Sequence, residues 1–312
     1  MSPVRRASGA RPVGIAEETE IFPDGTPRTI GTAYLRNGPC PLSCVYCALY
    51  RQAGEGPASG SEIARQIRSA RARLAPISGI KLYNASSLFE PRSIRQSAGD
   101  LAAIAAEVAD LDLVVIESRS EQVRRAPAFA RLLGGRLEVA IGVEAADDGL
   151  LRRLGKPTTV ARFRDAAGRL ADAGILLRAF VLVQPPYVFG AAARELAAAT
   201  FRLARDAGAR VVSLLPVVSD HAPMERLRSE GAFAEITLED YFAVVAECVE
   251  AGGAVVLAEL ATLSRLPGCA ACREARHAAL AVLNATGRLP PVSCAGHRPA
   301  VAGPAGGAAM PR

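Results

Sequence analysis

Cys40-Pro41-Leu42-Ser43-Cys44-Val45-Tyr46-Cys47 places three thiols within eight residues, directly after Gly38-Pro39 and a short apolar run. Thiolates are the soft ligands that hold iron–sulfur clusters, and a cubane of four irons closes with four protein ligands. Three ligands leave one iron open to a small molecule. Zinc also takes clustered cysteines, but a structural zinc site closes with four ligands, and none of His221, His277 and His297 lies near the triplet in sequence. Disulfides fit poorly: seven cysteines is an odd count, and the stretch MSPVRRASGARPVG has no apolar signal core. The triplet therefore reads as an iron–sulfur site.

Working outward, Thr32-Ala-Tyr-Leu-Arg36 is a short strand that delivers the cysteine loop at its C-terminal end. Strands and helices then alternate. Helical spacing covers about 61–75, 97–109, 121–133, 159–173 and 191–207, with Gly174 and Gly208 as stops. Between them run Ile80–Asn84, Leu113–Glu117, Leu137–Val143, Ile175–Val183 and Val211–Leu215. Six continuous apolar strands with helical crossovers predict a parallel sheet buried on both faces. Right-handed crossovers curl it into an α/β fold, a partial (β/α)6 TIM-type barrel with its reactive groups at the strands' C-terminal ends. Those ends carry the cysteines, Asn84, Glu117, Glu144, Gln184 and Ser213.

Composition bounds the rest. The 312 residues are half apolar, enough for one large barrel and a small appendage. No apolar run approaches the roughly 18 residues that span a bilayer, so the expectation is a soluble, cytoplasmic protein without a membrane partner. The formal charge is +6 and the pI about 9.1. Only Lys81 and Lys156 are lysines, and the arginines are scattered over presumed helix surfaces, the pattern of a solvated face rather than a phosphate strip. Residues 1–30 read as an irregular N-terminal arm, 31–260 as the barrel, 261–298 as a Cys/His element and 299–312 as a flexible tail. The long polar segment 217–236 reads as a lid at the barrel mouth.

The cysteine loop, IKLYNASSLFEP, LEVAIGVEAADDGLLRRLGKP and LRAFVLVQPP, in that order and spacing, resemble the radical S-adenosylmethionine (SAM) superfamily. The likeness is greatest to the radical SAM component of archaeosine synthase, its bacterial relatives and the elongator-acetyltransferase-like radical domain, and it spans roughly residues 30 to 300. The resemblance implies that Cys40, Cys44 and Cys47 bind a [4Fe–4S] cluster that delivers one electron to SAM. It implies SAM contacts from Tyr46, from Asn84 and Ser86 in the turn after the second strand, from Glu144, and from Arg178 to the SAM carboxylate, with Ser213 beside them. The family's glycines and acid are missing from the turn at Asn84 to Ser87. It also implies an external one-electron reductant of flavodoxin or ferredoxin type.

Glu117 and His221 are candidate acid–base groups. The bland readings are a carboxylate that caps the next helix and a solvated loop histidine. Asp147-Asp148 most simply caps the helix that follows. Cys269-x2-Cys272 and Cys294-x2-His297 form two knuckles whose spacing suits a tetrahedral zinc; an auxiliary iron–sulfur cluster is the alternative, and the absence of any metal the third reading. The whole predicts an enzyme that cleaves SAM to a 5′-deoxyadenosyl radical and takes hydrogen from a substrate. By resemblance that substrate is a modified tRNA base, with a small-molecule or natural-product substrate as the alternative. A non-catalytic metal-binding protein on a degenerate scaffold is a third reading, opposed by the intact triplet.

Overall fold

The computed structural model describes residues 11–218 and 221–293. In chain order the elements are β1 (Gly14–Ile21), β2 (Pro27–Leu35), α1 (Gly60–Arg71), β3 (Gly79–Asn84), α2 (Ala98–Ala106), β4 (Leu113–Ser118) and α3 (Ala126–Leu132). They continue with β5 (Leu137–Glu144), α4 (Asp148–Arg153), α5 (Val160–Asp172), β6 (Leu176–Val183), α6 (Gly190–Asp206) and β7 (Ala209–Pro216). The last are α7 (Ala222–Ser229), α8 (Leu238–Ala251), β8 (Val255–Ala258) and α9 (Ala270–Thr286).

The described strands form one sheet in the order β1 to β8, curled into a nearly closed barrel. β1 is antiparallel to β2, and every later neighbour is parallel. The six predicted strands are β2 to β7. The two edges differ from the sequence reading. Residues 14–21, expected in an irregular arm, pair with β2 along their full length through the turn at Phe22 to Thr26. Their alternation is carried by Glu18 and Glu20 rather than by apolar side chains, because this face looks into a polar barrel interior. β8 is only four residues long, too short to stand out from the helix before it.

The helices start where side chains can satisfy the exposed N–H groups. Ser59 Oγ accepts from Glu62 N–H while the Glu62 carboxylate accepts from Ser59 N–H, so α1 opens at Ser59 rather than at Ser61. Ser97 and Asp100 repeat this arrangement at α2, and Asp147, Thr159 and Thr237 each accept from the backbone N–H three residues on to cap α4, α5 and α8. Their apolar stripes, such as Ile63 and Ile67 of α1 and Phe163 and Leu170 of α5, bury against the outer face of the sheet.

Inside the barrel, Phe22, Ile30, Leu113, Val115 and Ala140 fill the base. Above them lies a chain of alternating charges. Lys81 pairs with Glu18 and Glu20, Glu20 with Arg178 at 2.6 Å, Arg178 with Glu138 at 2.6 Å, and Glu138 with Arg210 through Nε at 2.7 Å. Each buried carboxylate meets two cations and Lys81 and Arg178 each meet two carboxylates, the condition under which buried charges are tolerated. α9 packs on β1 and β8 and so covers the seam between the two edge strands. There Asn284 donates to the Ala258 carbonyl and accepts from its N–H, both at 2.8 Å, taking the place of the missing strand partner.

Candidate active site

The C-terminal mouth of the barrel opens into a cavity of about 450 Å³, within the range of small-molecule sites. Cys40, Cys44, Tyr46, Cys47, Asn84, Ser86, Glu117, Glu144, Arg178 and Ser213 all line it. The site residues that the sequence picked out are thus gathered from five strands and one loop.

The cysteine loop is held from outside the triplet. Val45 N–H donates to the Leu154 carbonyl at 2.9 Å, and Cys44 Sγ lies 3.5 Å from the Gly155 carbonyl. Gly155 has φ 71, and a Cβ there would come within 3.0 Å of the Ser43 carbonyl oxygen, so the loop docks on a position that only glycine suits. His221, the residue before α7, approaches the Val45 carbonyl with Nε2 at 2.9 Å and stacks edge-on against Tyr50. It is 1% exposed. The solvated reading therefore fails, and its position is that of a clamp on the loop backbone rather than of an acid or base facing the cavity. The expected lid over 217–236 is likewise a packed element: Met224, Leu227 and Phe233 bury with Val45 and Tyr46 against it. Residues 219 and 220 lie outside the described residues.

Burial raises the Cys44 thiol, with Lys156 partly opposing, and pushes the Cys47 thiol up to about 11. A thiol so placed becomes a thiolate when a metal supplies the compensating charge. Among the described residues no three His, Cys, Asp or Glu side chains converge on one metal position, the triplet included.

Glu144 sits at φ 63 after an irregularity in the β5–β6 register, which turns its carboxylate into the cavity. There it pairs with Lys156 at 2.7 Å. Lys156 was not among the residues the sequence singled out; the Lys in LGKP, one turn beyond α4, was the available signal. The pair needs Gly142 beneath it, because a Cβ there would lie 2.1 Å from Glu144 Oε1 and 2.9 Å from Lys156 Nζ. Burial, with the neighbouring Glu144 adding to it, holds the Tyr46 hydroxyl well above the usual range. Glu117 caps no helix. Its Oε2 accepts from Asn84 N–H at 2.9 Å, and burial pushes the carboxyl up to about 8 against the opposing pull of that hydrogen bond and of Lys156.

Two expectations are corrected by geometry. Arg178 is 1% exposed and stands on the third residue of β6, below the strand ends. Its Nε and terminal nitrogens are directed at Glu138 and Glu20, with Tyr83 Oη at 3.5 Å, so it forms the floor of the cavity rather than a free clamp for a carboxylate. Gln184 does not line the cavity; its Nε2 donates to the Ala234 carbonyl.

Asn84 is 6% exposed, and its Oδ1, its Nδ2 and the Ser86 Oγ are buried in the cavity lining with no partner among the described residues. Such groups carry the full cost of desolvation unless a ligand meets them. Three thiols, these unpartnered donors and acceptors, and the Glu144–Lys156 pair together fit a cluster with an amino-acid-bearing ligand. The second Cys/His constellation is split: Cys269 and Cys272 stand at the start of α9, where Cys272 Sγ contacts Arg276 at 2.8 Å, and Cys294 and His297 lie outside the described residues.

No protein-family model matches the sequence, and no curated protein sequence does either. Solved structures do match. An N-terminally deleted Elp3 from Methanocaldococcus infernus aligns at 14% identity over 70% of this chain and 57% of that one, with a TM-score of 0.51. A spore photoproduct lyase with bound AdoMet and a dinucleoside spore photoproduct aligns at 13% identity over 71% of this chain and 74% of that one, also at 0.51. Both share the barrel fold described above. At these identities the likeness is one of fold, and the chain spans little more than half the length of Elp3. Among the described residues no helix is long and apolar enough to cross a membrane.

Proposed function

We propose that this chain is a radical SAM enzyme in which Cys40, Cys44 and Cys47 hold a [4Fe–4S] cluster and the barrel mouth holds SAM. The observation that carries this reading is that all three thiols line one cavity together with the buried, unpartnered polar atoms of Asn84 and Ser86. The shared fold supports it. When bound, the cluster supplies the electron that opens the sulfonium carbon–sulfur bond of SAM and so yields a 5′-deoxyadenosyl radical. The protein supplies position. Asn84 and Ser86 offer hydrogen bonds to the SAM amine, and Lys156, which keeps one N–H on Glu144, offers its remaining N–H donors to the SAM carboxylate. Glu144 and Tyr46 meet the ribose and adenine, with Ser213 on the facing wall. Glu117, with its carboxyl raised to about 8, is a proton donor at neutral pH and stays a candidate for acid–base work.

Two substrate classes follow from the resemblance, a modified tRNA base and a small molecule. The lining favours the second. Its cations Lys81, Arg119, Lys156 and Arg178 each already hold a carboxylate, and the mouth-side loops expose Leu49, Tyr50 and Phe189. The reductant would be an external one-electron carrier of flavodoxin or ferredoxin type, and a reducing compartment such as the cytoplasm suits the thiols. Zinc at Cys269, Cys272, Cys294 and His297 remains a proposal, supported by the CxxC at the head of α9 and the CxxH beyond it.

The test is anaerobic reconstitution followed by iron, sulfide and zinc analysis and assay of 5′-deoxyadenosine after reduction. The reading predicts about four irons per chain, lost in Cys40→Ala, and about one zinc, lost in Cys269→Ala. A full cluster with no SAM cleavage would favour the degenerate, binding-only scaffold.

A further inference from the structure

The cavity has a second wall that the SAM site leaves unused. The cysteine loop docks beside β5, against Leu154 and Gly155. Three to four strands away around the barrel, the segment after β8 presents Glu259 and Thr262, β1 Glu18 and β2 Tyr34 to the same cavity.

Glu259 is held by buried structure. Its N–H donates to the Tyr241 hydroxyl at 2.9 Å, and that hydroxyl donates in turn to the Leu214 carbonyl at 2.8 Å. The carboxylate itself meets only backbone N–H groups of its own turn, those of Ala261 and Thr262, and no cation pairs with it among the described residues. Beside it, Thr262 Oγ1 is buried without a partner. So is Thr32 Oγ1, in a residue 1% exposed that shares the inward face of β2 with Tyr34. The Tyr34 ring is 41% exposed along the cavity, and its hydroxyl makes no hydrogen bond among the described residues. Burial and the charges of Glu259, Glu18 and Glu117 push that hydroxyl up to about 12, so it remains a donor at neutral pH.

The charges decide what this wall accepts. All four cations that line the cavity are paired with carboxylates, whereas Glu117 and Glu259 form no ion pair among the described residues and feel Lys156 and Lys81 only at a distance. An entering phosphate would have to break a buried ion pair while facing two carboxyl groups. A protonated amine or amidine would meet Glu259 without displacing anything, and a charge-assisted hydrogen bond in a desolvated site is among the stronger polar contacts. Resting on the radical SAM reading above, we propose that Glu259, Thr262 and Tyr34 form the substrate-recognition face and receive the basic nitrogen of a small amine- or amidine-bearing substrate. Glu259 takes the charge; Tyr34 and Thr262 supply the flanking hydrogen bonds.

The experiment is calorimetric titration of the cluster-loaded, SAM-saturated protein with agmatine, which carries an amine and a guanidinium, and with adenosine monophosphate as the anionic counterpart. Agmatine should bind and the nucleotide should not. Glu259→Gln should weaken agmatine about tenfold or more, the effect of removing a charged hydrogen-bond partner. Thr262→Val, which keeps the shape and loses only the hydroxyl, should weaken it less and serves if the first variant does not fold. Preference for the nucleotide, no binding of agmatine, or wild-type agmatine affinity in both variants would overturn the proposal. SAM affinity of the wild-type protein, titrated alone, keeps the two readings apart. Agmatine binding without SAM binding sinks the radical SAM assignment and spares the amine site; the reverse sinks the amine site only.

Discussion

Single residues set the chemistry of the mouth, and two of them give direct tests. Lys156 is buried against Glu144, so Lys156→Met removes the ammonium offered to a SAM carboxylate and leaves Glu144 uncompensated. SAM affinity in that variant should fall about tenfold or more, read by calorimetry on the reconstituted protein. Glu117 carries the pH dependence. Its carboxyl is raised from 4.5 to about 8, so the folded protein binds more protons at this group than the unfolded chain does between those values. Stability from this residue is therefore greatest at the acid end and is lost as pH rises through about 8. Urea unfolding without SAM should show the midpoint falling over that window in the wild-type protein, and Glu117→Gln should flatten the fall. An unchanged slope would mean that Glu117 ionises normally.

Among elements, the seam and the cysteine loop depend on side chains that come from distant parts of the chain. Asn284 of α9 satisfies both backbone groups of Ala258 at the edge of β8. Asn284→Ala leaves two buried groups unpaired and should cost about 2–3 kcal/mol, with faster amide exchange at Ala258 than at the inner strands. His221 ties the start of α7 to the Val45 carbonyl inside the triplet. His221→Ala should release iron to a chelator faster while the barrel melts near its wild-type temperature. An unaltered release rate would reduce His221 to packing. The sequence could not assign either role, because 26 residues separate Asn284 from Ala258 and 176 separate His221 from Val45.

The whole molecule rests on the charged layer across the barrel interior, where Lys81, Arg178 and Arg210 alternate with Glu18, Glu20 and Glu138. Breaking such a network by removing one member costs more than the network contributes, because its partners stay buried and uncompensated. Arg178→Met should destabilise the protein by about 3–5 kcal/mol while leaving SAM affinity unchanged. Loss of SAM binding at intact stability would restore Arg178 as a carboxylate ligand.

The sequence by itself determined the six inner strands, the order of their crossovers and the triplet, because continuous apolar runs, helical spacing and eight adjacent residues are local signals. It also pointed to Glu144 and Asn84, which end strands whose direction the crossovers dictate, and to Ser86 in the turn after Asn84; all three line the cavity. Only the tertiary structure decided the edges and the floor. Glu18 and Glu20 make 14–21 look like a polar arm until Lys81 and Arg178 stand opposite them, and Arg178 looks available until Glu138 claims it. A charged residue's role is set by the charge that faces it, and in a barrel that partner arrives from another strand.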